Sequence, residues 1–504
     1  MAHTIGIDFG TAFVTVADWN GGPRTLLRMP ALARMLHGGG ALCGEAAYAA
    51  RNAYALSTID QVKRFLGRSR VEIKEALRQV AWTIEPAFGA SDDFLIDAWT
   101  GLFEAEEIAA EILRAARQQA EAALGESVDA AVLTIAAAST NRQRLALKNA
   151  ARRAGLAVRR IVNEPTAIAI AEAQLRPAAR DERWAVVHFG AGTTDASIVD
   201  VNRRGVAVRA TAGDTKLGLA TIRARLIRQL ETQFKRRTGA SFSTRPEICA
   251  ELLWIAEESL LALNTFATHR VDLRAAGTAP TGATLDLDET LTQRNLESAA
   301  RPALRRLREL CSEATRRANA AAPSTIRRVV FTGGGALMPL LRRAVAEFFR
   351  QEPAQPGAAA LALPAHGAAL LAAALDGRAT LALQDVLAQG LGVTLVNDGF
   401  STLLPAGAAL PAKKTSCYTT VADFQDRIRF EVREGDQPCA SRNAVLGAFV
   451  LGGIRRARAG EPNVKVTFEI DESGILNVQA QDVDTQARQE VTLDRAAPMR
   501  APAR

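Results

Sequence analysis

Cysteine is scarce and scattered in this 504-residue chain. Cys43, Cys249, Cys311, Cys417 and Cys439 are odd in number and contain no Cys-x-x-Cys pair, which argues against a disulfide framework or a cysteine zinc site. Aromatic residues make up only 5%, too few for a base-stacking platform. The basic balance, a net charge of +8, is spread along helical segments and reads as an arginine-rich solvated surface. Long apolar runs are lacking as well. The one candidate, 357–375, is mostly alanine and is interrupted by Pro364 and His366, so it reads as a buried helix rather than a membrane span. The amino terminus enters a strand almost at once and leaves no room for a signal peptide. A cytoplasmic chain with neither nucleic-acid nor membrane partners is expected.

What the chain does have is a recurring junction between an apolar strand and a glycine turn. Ile5-Gly6-Ile7-Asp8-Phe9-Gly10-Thr11-Ala12 is one; His188-Phe189-Gly190-Ala191-Gly192-Thr193-Thr194-Asp195 is another. A third, Val329-Val330-Phe331-Thr332-Gly333-Gly334-Gly335, leads into a helix whose N-terminus favours an anion. Two such hairpins facing each other can grip a nucleotide's phosphates: glycines admit backbone N–H groups, hydroxyls add donors, and carboxylates hold a hydrated Mg²⁺. Around them β-rich runs alternate with amphipathic helices, the signature of α/β layers. Near Asp376 the character changes. Alternating or β-branched runs at 415–421, 427–433, 465–470 and 475–480, with turns at Gly435-Asp436 and Glu472-Ser473-Gly474, predict a β domain of roughly a hundred residues.

Further motifs follow in a fixed order: Val62-Lys63-Arg64-Phe65-Leu66-Gly67-Arg68, Arg160-Ile161-Val162-Asn163-Glu164-Pro165-Thr166-Ala167, Ala212-Gly213-Asp214-Thr215-Lys216-Leu217-Gly218 and Asp471-Glu472-Ser473-Gly474-Ile475-Leu476-Asn477-Val478. With the glycine loops, they make the chain resemble the seventy-kilodalton heat-shock chaperone family of the DnaK type over nearly its whole length. The resemblance implies an α/β, actin-like, two-lobed ATPase domain over 1–375 and an interdomain linker over 376–386. An all-β sandwich that binds extended peptides follows over 387–495, then a disordered tail over 496–504. A helical lid normally comes next, and a member of the family lacking that lid is expected.

The resemblance also implies roles. Asp8 orients the waters of a Mg²⁺ ion, Lys63 positions the attacking water and γ-phosphate, and Glu164 and Asp195 complete the polar ring. Gly10, Thr11, Gly190, Gly192, Thr193, Gly333 and Gly334 belong to the ATP/ADP phosphate loops, and Glu257 to the adenosine side. Several family positions are altered. His188 stands where a carboxylate is expected, and imidazole is a poor partner for a hard cation. Ala191 interrupts a glycine triplet, where a requirement for positive φ would make alanine costly. Leu260, Leu261 and Leu337 replace basic residues around the adenosine, Asn264 replaces a serine, and Ala136 replaces a coupling proline while Arg144 remains. In the sandwich, Val393, Val396, Tyr418, Ile428 and Phe430 are implied to line a peptide pocket, with Val421 beside the arch over it. Arg160, Asn163 and Asp385 match positions that meet a J-domain co-chaperone, and a nucleotide exchange factor is a further implied partner. The resulting expectation is an ATP-binding chaperone for exposed hydrophobic segments of unfolded clients, with weakened hydrolysis. The alternative is a nucleotide-independent holdase or scaffold with a vestigial cleft.

Overall fold

The computed structural model describes residues 3–87, 92–178, 180–319, 325–354 and 358–492; the expected tail over 496–504 lies outside them. Two five-stranded sheets organise the first three quarters of the chain. One runs in the order Ala157–Asn163, Val128–Ile135, His3–Phe9, Phe13–Trp19, Pro23–Pro30; the other runs Arg328–Thr332, Glu182–Phe189, Thr194–Asn202, Gly205–Asp214, Ala382–Gln384. Each repeats one plan: a central antiparallel hairpin whose first strand also pairs in parallel with a later strand. The two glycine turns thus occupy corresponding places in two lobes. The central strands are apolar along their length because both faces are covered, with Ile5, Ile7, Phe9, Val187 and Phe189 fully buried.

Two helices lie between the sheets. Glu164–Leu175 packs on the second sheet, Leu363–Leu375 packs on the first, and the two pack on each other. The second is apolar on nearly every side, as a helix buried all round must be, and lies within the apolar run singled out in the sequence; the first is largely buried but carries the carboxylates Glu164 and Glu172. Their approach is close enough that a Cβ on Gly367 would fall 1.8 Å from the Ala167 carbonyl oxygen. Among the described residues no helix is long and apolar enough to cross a membrane.

The last quarter is a sandwich of two four-stranded antiparallel sheets. One runs Phe400–Leu404, Leu391–Thr394, Arg427–Glu434, Ala444–Gly452; the other runs Ala412–Tyr418, Val464–Ile470, Leu476–Asp482, Arg488–Thr492. Strand Val464–Ile470 buries alternate residues, as a strand with one face on a core must. Between sandwich and lobes, Ala382–Gln384 extends the second sheet by pairing in parallel with Gly205–Asp214. Leu381 and Leu383 pack on the interior beside it. This short linker is therefore part of the α/β body.

Candidate functional site

The two glycine turns meet where the lobes face each other. A Cβ on Gly192 would lie 2.7 Å from Thr11 Oγ1 and 3.0 Å from Arg64 Cδ, so the approach requires glycine. Gly10 N–H donates to the Phe13 carbonyl at 2.9 Å and Gly190 N–H to that of Thr193 at 2.8 Å, closing both turns. Gly333, at φ 82°, seats the third loop beneath the Phe189 carbonyl. Ala191 does not have a positive φ, so the alanine in that triplet carries no backbone strain, contrary to the cost weighed from sequence.

Behind the turns, Asp8, Lys63, Glu164, His188 and Asp195 come together. Lys63 Nζ donates to Glu164 Oε1 at 2.5 Å, Thr134 Oγ1 donates to Asp8 Oδ1 at 2.5 Å, and His188 Nε2 lies 3.4 Å from Glu164 Oε2. Asp195 is fully buried and neither oxygen has a well-aligned hydrogen-bond donor, although the amides of Ala137 and Ala138 are close enough to favour its ionised form. Burial, then the charge of Glu164, pushes the Asp195 carboxyl up to about 8. Burial and Glu164 likewise raise Asp8. Burial also opposes the Glu164 charge, but Lys63 and His188 outweigh it and hold that carboxyl low. Lys63 keeps its proton more firmly than usual because Glu164 and Asp8 overcome its own desolvation. Three carboxylates thus share one ammonium in a buried site, an arrangement short of positive charge.

The residues expected around an adenosine differ in exposure. Leu260 is buried in the core of the second lobe, while Leu261 and Leu337 are 55% and 45% exposed. Glu257 is half-buried and paired with Arg223, Nη1 to Oε2 3.4 Å. Arg223, on helix Leu219–Thr238, went unremarked in the sequence. The available signal was an arginine inside the apolar stripe Leu219, Ala220, Ile222, Leu226, where a charged residue needs a partner.

A second constellation joins the lobes to the sandwich. The Asp385 carboxylate of the linker accepts from Asn163 Nδ2 and Thr166 Oγ1, both at 3.1 Å, and from the Val386 amide at 2.8 Å. Arg144 donates to Asn163 Oδ1 at 2.7 Å and to the Ser473 carbonyl at 3.2 Å. The Ile161 amide donates to Ser473 Oγ at 3.1 Å, the Leu476 amide to Asn141 Oδ1 at 2.8 Å, and Arg160 pairs with Glu472 at 3.3 Å. The sandwich turn Glu472-Ser473-Gly474 is therefore docked onto the first lobe. Asn163 and Asp385, expected from the resemblance at a co-chaperone surface, are only 3% and 4% exposed in this docked arrangement. Glu434 was another residue overlooked in the sequence. It is buried at this interface with Oε2 unpartnered, and burial, against the pull of Arg144, raises its carboxyl to about 7.

The Hsp70 protein family model matches residues 4–501. The chain belongs to the Hsp70 family. It is 31% identical to the chaperone protein DnaK of Thermus thermophilus, covering 98% of this chain and 80% of that one. It is also 31% identical to the chaperone protein DnaK of Deinococcus proteolyticus, covering 98% and 79%. Membership in this chaperone family carries a chaperone function with it.

The positions implied as the Hsp70 peptide pocket divide in the sandwich. Val393 and Phe430 are core residues, 1% and 4% exposed, and the Phe430 ring stacks on Phe449. Tyr418 and Ile428 are half-buried at the core's edge, with Tyr418 Oη 2.9 Å from Ser401 Oγ. Val396 and Val421 stand 63% and 67% exposed on the loops after Leu391–Thr394 and before Arg427–Glu434. Because those strands are antiparallel neighbours, both loops lie at one end of the sandwich. Phe424 on the second loop is 66% exposed and was missed in the sequence; its signal is a phenylalanine among the polar residues Asp423, Gln425 and Asp426.

Proposed function

We propose that this Hsp70 protein binds ATP or ADP with Mg²⁺ in an actin-like cleft and holds exposed apolar segments of client polypeptides at the loop end of its sandwich. The observation that carries the nucleotide half is the buried cluster of Asp8, Lys63, Glu164 and Asp195 behind two facing glycine turns. The cluster lacks positive charge, and Asp195 lacks well-aligned donors; a hydrated divalent cation beneath a phosphate chain fits both deficits. Asp8, Glu164 and Asp195 would hold it through water, since no three acidic, histidine or cysteine side chains converge at ligand distance among the described residues. The bound ion would supply electrostatic stabilisation of the transferring phosphoryl group. Thr11 Oγ1 and the turn amides bind and orient phosphate oxygens, and Lys63, held by Glu164, sets a fixed positive charge beside them.

His188 makes hydrolysis slow. A carboxylate at this position would accept hydrogen bonds from ion-bound waters, whereas the imidazole faces Glu164 and draws on the same carboxylate that fixes Lys63. Loss of one well-placed electrostatic group costs about 10²–10³ in rate. The test is calorimetric titration of ATP with Mg²⁺, followed by single-turnover hydrolysis, on the wild type and on His188→Asp. The reading predicts binding by both and faster turnover by the variant. Equal turnover would remove His188 from the account. Peptide binding without any nucleotide binding would instead favour a holdase with a vestigial cleft.

A further inference from the structure

The sandwich has four edge strands among the described residues, and three of them are guarded. Phe400–Leu404 is covered at its first residue, whose amide donates to the Pro438 carbonyl at 3.1 Å. Ala412–Tyr418 carries the exposed Lys413 and Lys414, and Arg488–Thr492 carries Arg488 and Glu490, paired at 3.1 Å. Charged side chains, lysine above all, and covering segments are the devices that stop an open edge from pairing with another chain. The fourth edge, Ala444–Gly452, has none of them. Its sequence, Ala-Val-Leu-Gly-Ala-Phe-Val-Leu-Gly, holds no charge, no proline and no polar side chain. Among the described residues its backbone makes no hydrogen bond outside the ladder to Arg427–Glu434, so alternate amides and carbonyls point outward unpaired. Val445 and Val450 are 43% and 49% exposed. Beyond the bulge at Val432/Arg433 the strand alternates. Phe449 and Leu451 belong to the core, while Ala448 and Val450 lie on the outer side beside Glu431 and Arg429.

We propose that this edge is an interface with a second copy of the chain, the two Ala444–Gly452 strands pairing antiparallel about Phe449 into one continuous sheet. Size and charge set the register. Pairing about Phe449 places Gly447 opposite the second copy's Leu451 and Ala448 opposite its Val450, small against large on both faces. The outer row across the four strands then reads Glu431, Ala448, the second copy's Val450 and the second copy's Arg429, with opposite charges at its ends. Centring the pair on Val450 instead would put an arginine at both ends of a row. The neighbouring edge of the other sheet, Arg488–Thr492, carries both signs and sets no net repulsion between copies. An antiparallel pair of identical strands is closed by its own two-fold axis, so the contact gives a dimer and not a filament. A single strand about 30 Å long makes a small interface, and the dimer is a weak one of micromolar affinity. It depends on neither nucleotide nor client binding.

The experiment is sedimentation velocity on the intact chain from about 1 to 100 µM. The wild type should pass from monomer to dimer across that range. Val450→Lys installs the missing guard on the outer face and should weaken the dimer at least about ten-fold, with melting temperature unchanged. Gly452→Lys, where a side chain meets nothing within 4 Å, serves if Val450→Lys folds poorly. Val421→Asp, on the client loop, should leave the dimer intact; its loss there would mean that copies capture one another at the client end and would overturn the proposal. The register is read by cross-linking after the exposed Cys417 and Cys439 are changed to serine. Opposite Cα atoms stand about 4.5–5.5 Å apart, within disulfide reach, and diagonal ones at about 7–8 Å stand outside it. Under mild oxidation, Ala448→Cys mixed with Val450→Cys should therefore form a mixed disulfide, and neither should pair with itself. Self-linked Val450→Cys overturns the register about Phe449. A wild type that stays monomeric throughout, or a dimer untouched by both lysine variants, overturns the interface.

Discussion

Glu434 makes docking of the sandwich on the first lobe depend on pH. In the docked arrangement it is buried beside Arg144, with Asp436 adding a weaker opposing charge and the Asn141 amide hydrogen-bonding to it. The neighbouring charges on the facing elements are Asp385 in the linker and Asp471 in the sandwich turn, both acting on Arg144. Burial dominates and lifts the Glu434 carboxyl from 4.5 to about 7. Undocking returns it to water and to its ordinary value. The docked state therefore binds a proton that the undocked state has released between these two values. The resulting stabilisation is complete below about pH 4.5 and is lost as pH rises to about 7. The rise from 4.5 to about 7 corresponds to about 3 kcal/mol in all. From pH 5.5 to pH 8 the remaining part is about 2 kcal/mol, some thirty-fold in the docking equilibrium. Asp385, also raised by burial, contributes with the same sign, so Glu434→Gln isolates the Glu434 share. Fluorescence energy transfer between lobe and sandwich, followed from pH 5.5 to 8, should show wild-type docking weakening steeply and the variant's weakening far less. Parallel titrations of the two proteins would refute the reasoning.

Two other substitutions probe the site from different directions. Arg144→Ala leaves the Asn163 oxygen and the Ser473 carbonyl without their donor and leaves Asp385 and Glu434 buried without their cation. Breaking a buried pair this way costs about 3–5 kcal/mol, so the linker at 381–387 should become cleavable in limited proteolysis. Val421→Asp places a charge on a loop residue that is 67% exposed; melting temperature should hold while affinity for an apolar peptide, read by fluorescence anisotropy, falls about ten-fold.

The sequence made the cleft legible because its requirements are local. A glycine turn after an apolar strand shows itself within eight residues, and Asp8, Thr11, Gly192 and Asp195 lie where two such turns meet. Glu164 is equally local, standing at the start of the buried helix Glu164–Leu175. Residues whose role depends on tertiary neighbours were not legible. Leu260 reads like Leu261 in one dimension, yet helix periodicity turns one into the core and the other to solvent. Val393 and Phe430 alternate correctly for either a pocket or a core, and only the second sheet behind them shows which side they fill. Arg223 and Glu434 are charges whose partners, Gln79 and Arg144, lie 144 and 290 residues away in the chain. No spacing rule brings such pairs together.

The strand Arg427–Glu434 connects the two proposed activities of the sandwich. Ile428, near its first residue, belongs to the end that carries Val396, Val421 and Phe424, while Glu434 is its last residue and is buried against Arg144. Six residues at about 3.3 Å each put roughly 20 Å between them, bridged by an unbroken ladder to Ala444–Gly452 apart from one bulge at Val432/Arg433. That bulge lies at the docking end, where a change in how Glu434 seats can be taken up by local twist. Linkage makes the consequence reciprocal: if docking changes peptide affinity by some factor, bound peptide changes docking by the same factor. The Glu434 titration then gives a handle on both, because it alters docking at a residue that touches neither peptide loop. Peptide affinity that stays constant from pH 5.5 to 8, while docking shifts about thirty-fold, would show that the strand transmits nothing and that the two ends of the sandwich work independently.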